Sequence, residues 1–226
     1  MLFMSYNVHS WEGTDGVKDY SRVLHFIKDT PAYAVALQEV IIPAPADNIN
    51  EAHSFIEDCC GMHATFGKTM FKGDASYGNV LLTKPLPKKT ILHDISINSR
   101  EQRGVIEALI ETEHGEITIL ATHLGLKKKE RAEQAKMICD IYKTIKTPTV
   151  LMCDSNEWFP SKASKILDET AGKAKRVRSY PSYFPIFAID QIRVKDVVAD
   201  IKADRRADIK KYSDHLPVCA EITFKP

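Results

Sequence analysis

The sequence lacks an excess of either charge and any long apolar run, and each absence excludes a class of protein. It holds 31 Lys and Arg residues against 30 Asp and Glu residues, a formal net charge of +1. A protein that wraps DNA by neutralising many phosphates carries a clear basic excess, so extensive non-specific DNA wrapping is not supported. The net charge does not exclude a local basic patch. No apolar run approaches the roughly eighteen residues of a membrane span, so no transmembrane segment is predicted.

Metal-binding cysteine patterns and disulfide frameworks are also absent. The chain has five cysteines, an odd number, and none of them forms a CxxC pair. The first residues, "LFMSYNV", lack the basic region and the length of a secretory signal. We therefore expect buried, reduced thiols in a soluble, cytoplasmic protein, and we expect a monomer.

What the sequence does contain is an alternation of strand and helix signals in which strands dominate. Its 226 residues suit a single domain covering 1–226. Helical spacing is predicted over 19–29, 50–60, 128–146 and 161–171, and strands over 2–8, 32–40, the segments between 63 and 124, 149–156 and the segments between 187 and 224. Because alternate side chains of a strand point the same way, Asp154 and Asn156 are expected to converge on one point. Segment 67–76 is interpreted as a loop beside the site. Strand-rich halves that each carry helices predict an α/β fold, a four-layer αββα sandwich with two mixed β-sheets packed face to face.

Polar side chains recur where these strands begin or end. Each has an ordinary alternative, because Asn and Asp often cap turns and a lone His is usually structural. Together they form the inventory of a metal–phosphate site, since strand ends present side chains at a common rim. These residues are Asn7, Glu39, Tyr77, Asn79, His123, Asp154, Asn156, Asp190, Asp214 and His215.

The residue types suit a hard cation and a phosphoryl group. Carboxylate and amide oxygens are the ligands of octahedral Mg²⁺, and Mn²⁺ is expected to substitute. No Cys/His set for structural zinc is present. Histidines and carboxylates near a phosphoryl group can orient water and protonate a leaving alkoxide.

The ordered set "YNVH", "LQE", "YGN", "THL", "CDSNEW", "IDQI" and "SDHLP" resembles the endonuclease/exonuclease/phosphatase (deoxyribonuclease I-like) superfamily. The stretches "YNVHSWEGTDG", "DSNEWFP" and "YPSYFPIFAIDQI" are similar to those of its compact bacterial members. The resemblance spans Asn7 to Pro217 and implies the same four-layer sandwich.

The resemblance also implies roles for individual residues. Glu39 would be the principal metal ligand, assisted by Asn7 and Asp214. Asp154 would orient or deprotonate water and Asn156 would hold a phosphate oxygen. His215, positioned by Asp190, and His123 would contact the phosphate or the leaving group. From its chemistry, Asn79 would bond charge that develops on phosphate oxygens, and Tyr77 beside it is expected to bind substrate. Arg103 is a candidate phosphate clamp, and a solvent-exposed arginine at the start of a strand is an equal alternative.

Three positions depart from the family pattern: Cys153 replaces a Gly, and Ser155 and Gln191 stand where other residues are usual. Cys153 is interpreted as a packing residue, because attack by metal-activated water needs no thiol nucleophile.

The sequence leaves the substrate open between three readings. The first is a Mg²⁺-dependent phosphodiesterase, or phosphomonoesterase, acting on small or lipid-derived esters. The second is a DNA nuclease of endonuclease, exonuclease or abasic-site type, in which the basic stretch "KAKRVR" and the aromatic residues after it contact the strand. The third is a binding module that has lost its chemistry, and the full set of candidate catalytic residues argues against it.

Overall fold

The structure is a computed structural model that describes residues 1–42 and 49–225. Four α-helices lie in this part of the chain: α1 (Tyr20–Lys28), α2 (Ile49–Cys60), α3 (Lys128–Thr144) and α4 (Lys162–Ala171). Its strands are β1 (Leu2–Asn7), β2 (Ala32–Ile42), β3 (His63–Lys72), β4 (Ala75–Thr83), β5 (Lys89–Asp94), β6 (Gly104–Thr112), β7 (Gly115–His123), β8 (Thr149–Asp154), β9 (Asp190–Lys195), β10 (Val197–Ala203) and β11 (Val218–Phe224).

The strands form two mixed sheets. The first has the order β10-β11-β1-β2-β4-β3 and the second has the order β5-β6-β7-β8-β9. In each sheet the one parallel pair, β1 with β2 and β7 with β8, lies at or next to the centre. Such pairs place the carboxyl ends of adjacent strands side by side, which is where the site is built.

Three apolar clusters separate four layers, so the predicted αββα sandwich is confirmed. Val23, Leu24 and Ile27 of α1 pack on the outer face of the first sheet. Ile138 and Tyr142 of α3 pack on the outer face of the second sheet. Between the sheets lies an inner cluster that includes Phe3, Ala36, Ile106, Ile119 and Met152. Because successive side chains of a strand point to opposite sides, each strand can contribute apolar residues to the inner cluster and to an outer one.

The prediction that segment 67–76 is a loop was wrong. Strands β3 and β4 pair as an antiparallel hairpin from His63–Thr83 at one end to Lys72–Ala75 at the other, with a tight turn at Gly73 and Asp74. Most side chains of β3 are half-buried or exposed, so the strand lacks the apolar alternation by which a sequence reveals a strand.

Two predicted strand ends were also misplaced. Glu39 does not end its strand, because β2 continues to Ile42. Tyr77 and Asn79 do not precede a strand, because β4 begins at Ala75 and contains both. These residues reach the site from within the sheet, and a distortion of β2 makes this possible.

Candidate active site

The candidate site lies at one end of the sandwich, where both sheets contribute. Asn7 ends β1, and His123 and Asp154 are paired residues at the ends of β7 and β8. Asp190 begins the antiparallel strand β9 directly opposite Asp154. Ten of the eleven predicted site residues take part in the contacts described below, and the remaining one, Asn79, is buried in the neighbouring strand.

A bulge in β2 places Glu39. The register of β2 against β4 shifts between Leu37 and Val40. Two residues, Gln38 and Glu39, therefore face the single residue Asn79 of β4. Glu39 has a φ of 59°, a left-handed conformation that costs energy in a non-glycine residue. The distortion turns a half-buried carboxylate towards the strand end, where the Asn7 amide donates to it at 3.0 Å.

The Asn7 side chain links two carboxylates. Its Nδ2 donates to Glu39 Oε1 at 3.0 Å and to Asp154 Oδ2 at 2.9 Å. Its Oδ1 accepts the backbone N–H of His9 at 2.9 Å. The backbone carbonyl of Asn7 accepts the hydroxyl of Ser213, the residue before Asp214. Both ends of the Asn7 amide and its backbone carbonyl are thus hydrogen-bonded. The bond to Asp154 joins the first sheet to the second at the site.

Asp154 is buried at the centre of the cluster. Its Oδ1 accepts the backbone N–H of Asn156 at 2.8 Å, and its Oδ2 lies 3.5 Å from His123 Nε2 and 3.9 Å from His215 Nε2. Burial, together with the neighbouring Asp190, raises the pKa of Asp154 to about 6, against the opposing effect of His215. A carboxylate with this pKa is a suitable proton acceptor near neutral pH.

Asp190 and His215 form a buried pair. Asp190 Oδ2 lies 2.9 Å from His215 Nδ1 and also accepts the hydroxyl of Ser179 at 2.5 Å. Burial alone would lower the pKa of His215, but the charges of Asp190, Asp154 and Asp214, with the hydrogen bond to Asp190, raise it to about 10. His215 is therefore an imidazolium whose Nδ1–H is held by Asp190, while its Nε2–H points towards Asp154.

His123 is the opposite case, a buried neutral imidazole. Burial first, and then the positive charges of Arg103 and His215, lower its pKa well below the ordinary value. Asn156 Nδ2 donates to Leu124 O at 2.8 Å, and this carbonyl fixes which way the amide faces. The same Nδ2 lies 2.8 Å from His123 Nε2, so this ring nitrogen accepts and Nδ1 carries the proton. The two histidines of the site therefore have different charges.

A cavity of about 230 Å³ opens beside this cluster and is lined by Glu39, Tyr77, Arg103, His123 and Asn156 with neighbouring side chains. Arg103 is 5% exposed, so the alternative of a solvent-exposed arginine is wrong. Its Nη2 pairs with Glu101 at 3.0 Å, whereas its buried Nε has no partner among the described residues. The Lys72 ammonium lies 3.7 Å from the centre of the Tyr77 ring. The cavity wall thus carries two cations, Lys72 and Arg103, and two carboxylates, Glu39 and Glu101, and the unpaired Arg103 Nε is a donor that a ligand oxygen could occupy.

Asp214 is the more accessible acid, with a side chain 29% exposed. Its Oδ1 lies 3.9 Å from His215 Nε2 and 3.9 Å from His9 Nδ1. Asp214 thus lies on the solvent side of the cluster. The Ser213 hydroxyl links it to Asn7, because this hydroxyl contacts both Asp214 Oδ1 and the Asn7 carbonyl.

The expectation that Asp154 and Asn156 converge along one face of an extended strand was wrong. Strand β8 ends at Asp154, and Asn156 has a φ of 50°, which no extended strand has. The two residues meet because this left-handed turn brings the Asn156 N–H back onto Asp154. Both hydrogens of the Asn156 amide are engaged by Leu124 and His123.

Two residues that depart from the family pattern, Gln191 and Ser155, hydrogen-bond to each other. Gln191 Nε2 donates to Ser155 Oγ at 3.0 Å, and Ser155 Oγ donates to Ile189 O at 2.6 Å. Cys153 is fully buried, and burial raises the pKa of its thiol to about 12. The interpretation of Cys153 as a packing residue is confirmed, because such a thiol is inert as a nucleophile.

Several supporting residues lie outside the quoted motifs or were given no role in them. Ser179 holds Asp190, and Ser213 holds Asn7 and the N–H of His215. Lys72 was assigned to a loop, so its position beside Tyr77 was not predicted. Because single serines and lysines occur at many surface positions, only the tertiary contacts identify these three.

Helix α3 fixes the segment that carries the Leu124 carbonyl. Gln134 accepts the N–H of Gly125 at 2.8 Å, and Arg131 donates to the carbonyls of Gly125 and Leu126. A Cβ at Gly125 would lie 2.0 Å from the Glu130 carboxyl carbon, so a larger residue there would force the Glu130 side chain to move. The helix thereby orients Asn156 through Leu124.

We expect Gln134→Leu to destabilise the protein by about 1–3 kcal/mol, because the buried N–H of Gly125 loses its acceptor. Urea unfolding measures this, and Gln102→Leu at an exposed position is the matched control. We also expect the turnover of any phosphoester substrate to fall, since Leu124 orients Asn156. An unchanged free energy of unfolding would contradict this account of the segment.

No helix in the described part of the chain is both long and apolar enough to cross a membrane.

Comparison with known proteins identifies the fold. No family model matches the chain. The uncharacterized protein YbhP of Escherichia coli K12 is 26% identical over 217 residues, covering 87% of this chain and 85% of YbhP. An endonuclease/exonuclease/phosphatase from Bacteroides vulgatus superposes with a TM-score of 0.78 at 17% identity, over 99% of this chain and 98% of that protein. A mannosyl-6-phosphatase of Bacteroides thetaiotaomicron gives 0.73 at 14% identity, over 99% and 100%.

The chain therefore has the fold of the endonuclease/exonuclease/phosphatase superfamily, as the seven ordered motifs predicted. At these levels of identity the likeness concerns the fold, and the chemistry has to be argued from the side chains of the site.

Proposed function

We propose that the protein is a divalent-metal-dependent phosphoric ester hydrolase that cleaves phosphodiester bonds by attack of water on phosphorus. The observation that supports this most directly is the Asp154 cluster. A buried carboxylate near pKa 6 lies within 4 Å of a neutral His123 and of the imidazolium of His215. A proton acceptor and a proton donor in one buried cluster are what ester hydrolysis requires.

The donor set suits Mg²⁺. Glu39 and Asp214 offer carboxylate oxygens, the hard ligands that Mg²⁺ prefers, and the Asn7 amide oxygen, which accepts the N–H of His9, has a second lone pair to offer. Asp154, Asp190 and His215 form a second group that can hold a cation. In that group the Nδ1 atom of His215 is already held by Asp190, which makes the Glu39 side the better fit. Bound there, Mg²⁺ would act as a Lewis acid and neutralise charge on the phosphate.

The protein's own residues would perform the proton transfers. Asp154 would hold the attacking water and accept its proton, because its Oδ2 faces the cluster and its pKa is near neutral. His215 would donate from Nε2 to a phosphate oxygen or to the leaving alkoxide, with Asp190 holding its other nitrogen. His123 is neutral and would hold the Asn156 amide in place; both N–H groups of that amide are occupied in this arrangement, so the expected bond from Asn156 to a phosphate oxygen would require one of them to be released.

The cavity would bind the rest of the substrate. Arg103 and Lys72 supply positive charge at its wall beside the carboxylates of Glu39 and Glu101, and Tyr77 lines it as well. Asn79 is buried two residues further along β4, on the same face of the strand as Tyr77. A volume of about 230 Å³ favours a small or lipid-derived ester headgroup over an extended duplex. The neighbours with this fold include a mannosyl-6-phosphatase, which supports phosphoester chemistry in general.

A substrate panel tests the proposal. Wild-type protein and His215→Ala would be assayed on bis-p-nitrophenyl phosphate, p-nitrophenyl phosphate, plasmid and abasic DNA, RNA and phospholipid, each with Mg²⁺, Mn²⁺ or EDTA. We expect metal-dependent cleavage of the diester by wild type only. Nicking of plasmid at physiological salt would favour the nuclease alternative, and failure on every phosphoester would contradict the proposal.

A further inference from the structure

Beside the candidate site lies a group of large apolar side chains that the fold leaves in solvent. We call it the apolar rim and define it as Trp158, Phe159, Tyr183, Phe184 and Ile186. Phe184 is 81% exposed, Phe159 73% and Ile186 59%. Exposed aromatic and aliphatic side chains grouped on two loops mark an interaction surface, because such exposure carries a free-energy cost that folding alone does not explain.

The rim is continuous with the site. Its larger loop is closed where Tyr180 and Phe187 exchange backbone hydrogen bonds of 3.1 and 2.9 Å. The Tyr180 ring lies 4.8 Å from the His215 ring and 6.3 Å from the Trp158 ring, centre to centre. Aromatic rings thus connect His215 to Trp158, so this part of the rim lies next to the site.

The charge around the rim is positive. Residues 173–187 contain four cations and no acidic residue, with Lys173, Lys175, Arg176 and Arg178 preceding the loop. On its other flank, Ser182 donates its hydroxyl to the Lys210 carbonyl at 2.8 Å, which holds the loop against the basic pair Lys210 and Lys211. Basic residues therefore precede the loop in the sequence and also lie in the segment against which it packs.

We propose that the apolar rim docks the protein on a phospholipid bilayer that carries anionic headgroups. Aromatic and aliphatic tips flanked by Lys and Arg match the interface of such a bilayer, where apolar groups enter the acyl boundary and cations meet phosphate. Docking there would turn the candidate site towards the headgroups. The inference goes beyond the proposed function and does not depend on it.

A bilayer fits this surface better than a nucleic acid does. A base-stacking platform supports one face of each ring from below, whereas Phe184, four-fifths exposed, has no such support. Ile186 has no ring on which a base could stack.

Vesicle flotation tests the proposal with the full-length protein in EDTA, so that no lipid is cleaved. The probes are vesicles of phosphatidylcholine alone and of phosphatidylcholine with phosphatidylglycerol. We expect binding to the anionic vesicles, and at least about tenfold weaker binding for the triple variant Phe159→Ser, Phe184→Ser and Ile186→Ser, because three apolar anchors are lost. The matched control is Leu86→Ser, Leu92→Ser and Val198→Ser, three exposed apolar residues elsewhere, which should bind as wild type does.

Each alternative has its own result. Equal binding by the rim variant and wild type, or no binding to either vesicle, would overturn the proposal. If neither protein binds vesicles, two results would point to another partner and would also overturn the proposal. One is that the rim variant loses binding to a single-stranded oligonucleotide that wild type binds, and the other is that it loses a concentration-dependent dimer that wild type forms. Rim-dependent vesicle binding without any hydrolysis of bis-p-nitrophenyl phosphate would support the docking surface while contradicting the proposed function.

Discussion

Glu39→Gln is expected to reduce metal-dependent hydrolysis of bis-p-nitrophenyl phosphate by about a thousandfold or more. The substitution keeps the size and the hydrogen-bonding capacity of the side chain but removes the charge that a divalent cation needs. Losing about 4 kcal/mol of charge stabilisation in the transition state corresponds to that factor. The measurement is the steady-state rate at saturating Mg²⁺, together with the Mg²⁺ concentration that gives half of the maximal rate.

Its control is Glu133→Gln, which removes a carboxylate from the exposed face of α3 and should leave the rate unchanged. Folding of the Glu39 variant should persist, because the partly exposed carboxylate contributes one hydrogen bond, from Asn7. Full Mg²⁺-dependent activity in this variant would show that Glu39 is not a metal ligand and that the bulge of β2 serves another purpose.

Asp190→Asn should lower kcat by about 10²–10⁴-fold, with a smaller change in KM. The carboxylate of Asp190 accepts from His215 Nδ1 at 2.9 Å and so fixes the ring with Nε2–H directed at the cluster. An amide in its place can present an N–H to His215, which leaves the proton on the wrong ring nitrogen. The expected split between kcat and KM follows because His215 acts in the transition state more than in substrate binding.

Thermal unfolding distinguishes this effect from loss of the fold. Asp190 is fully buried and asparagine has almost the same size and shape, so the variant should fold. Asp140→Asn, on the exposed face of α3, is the matched control and should behave as wild type. A well-folded Asp190→Asn variant with wild-type kcat would remove His215 from the proposed chemistry.

The parts of the fold and site that follow the strand pattern could be predicted from the sequence. Asn7, His123 and Asp154 end strongly apolar strands, and strand alternation with helical spacing predicted the four layers. Parallel pairing then places these ends together whatever the details of the loops. The site residues on these strands needed no knowledge of tertiary contacts.

The parts that depend on local backbone distortion could not be predicted. The bulge that carries Glu39 and the left-handed turn at Asn156 are set by pairing with β4 and by the Leu124 carbonyl, and both lie far away along the chain. The burial of Arg103 depends in the same way on packing from both sheets. Strand β3 lacked apolar alternation, which is why Lys72 was assigned to a loop.

The central claim is that a divalent cation and this cluster together hydrolyse phosphoesters. The most direct test is the rate of bis-p-nitrophenyl phosphate hydrolysis by one wild-type sample in Mg²⁺, after EDTA, and after Mg²⁺ is restored. The account predicts turnover in Mg²⁺, its loss in EDTA and its recovery on restoration. A rate that is unchanged by EDTA would contradict it.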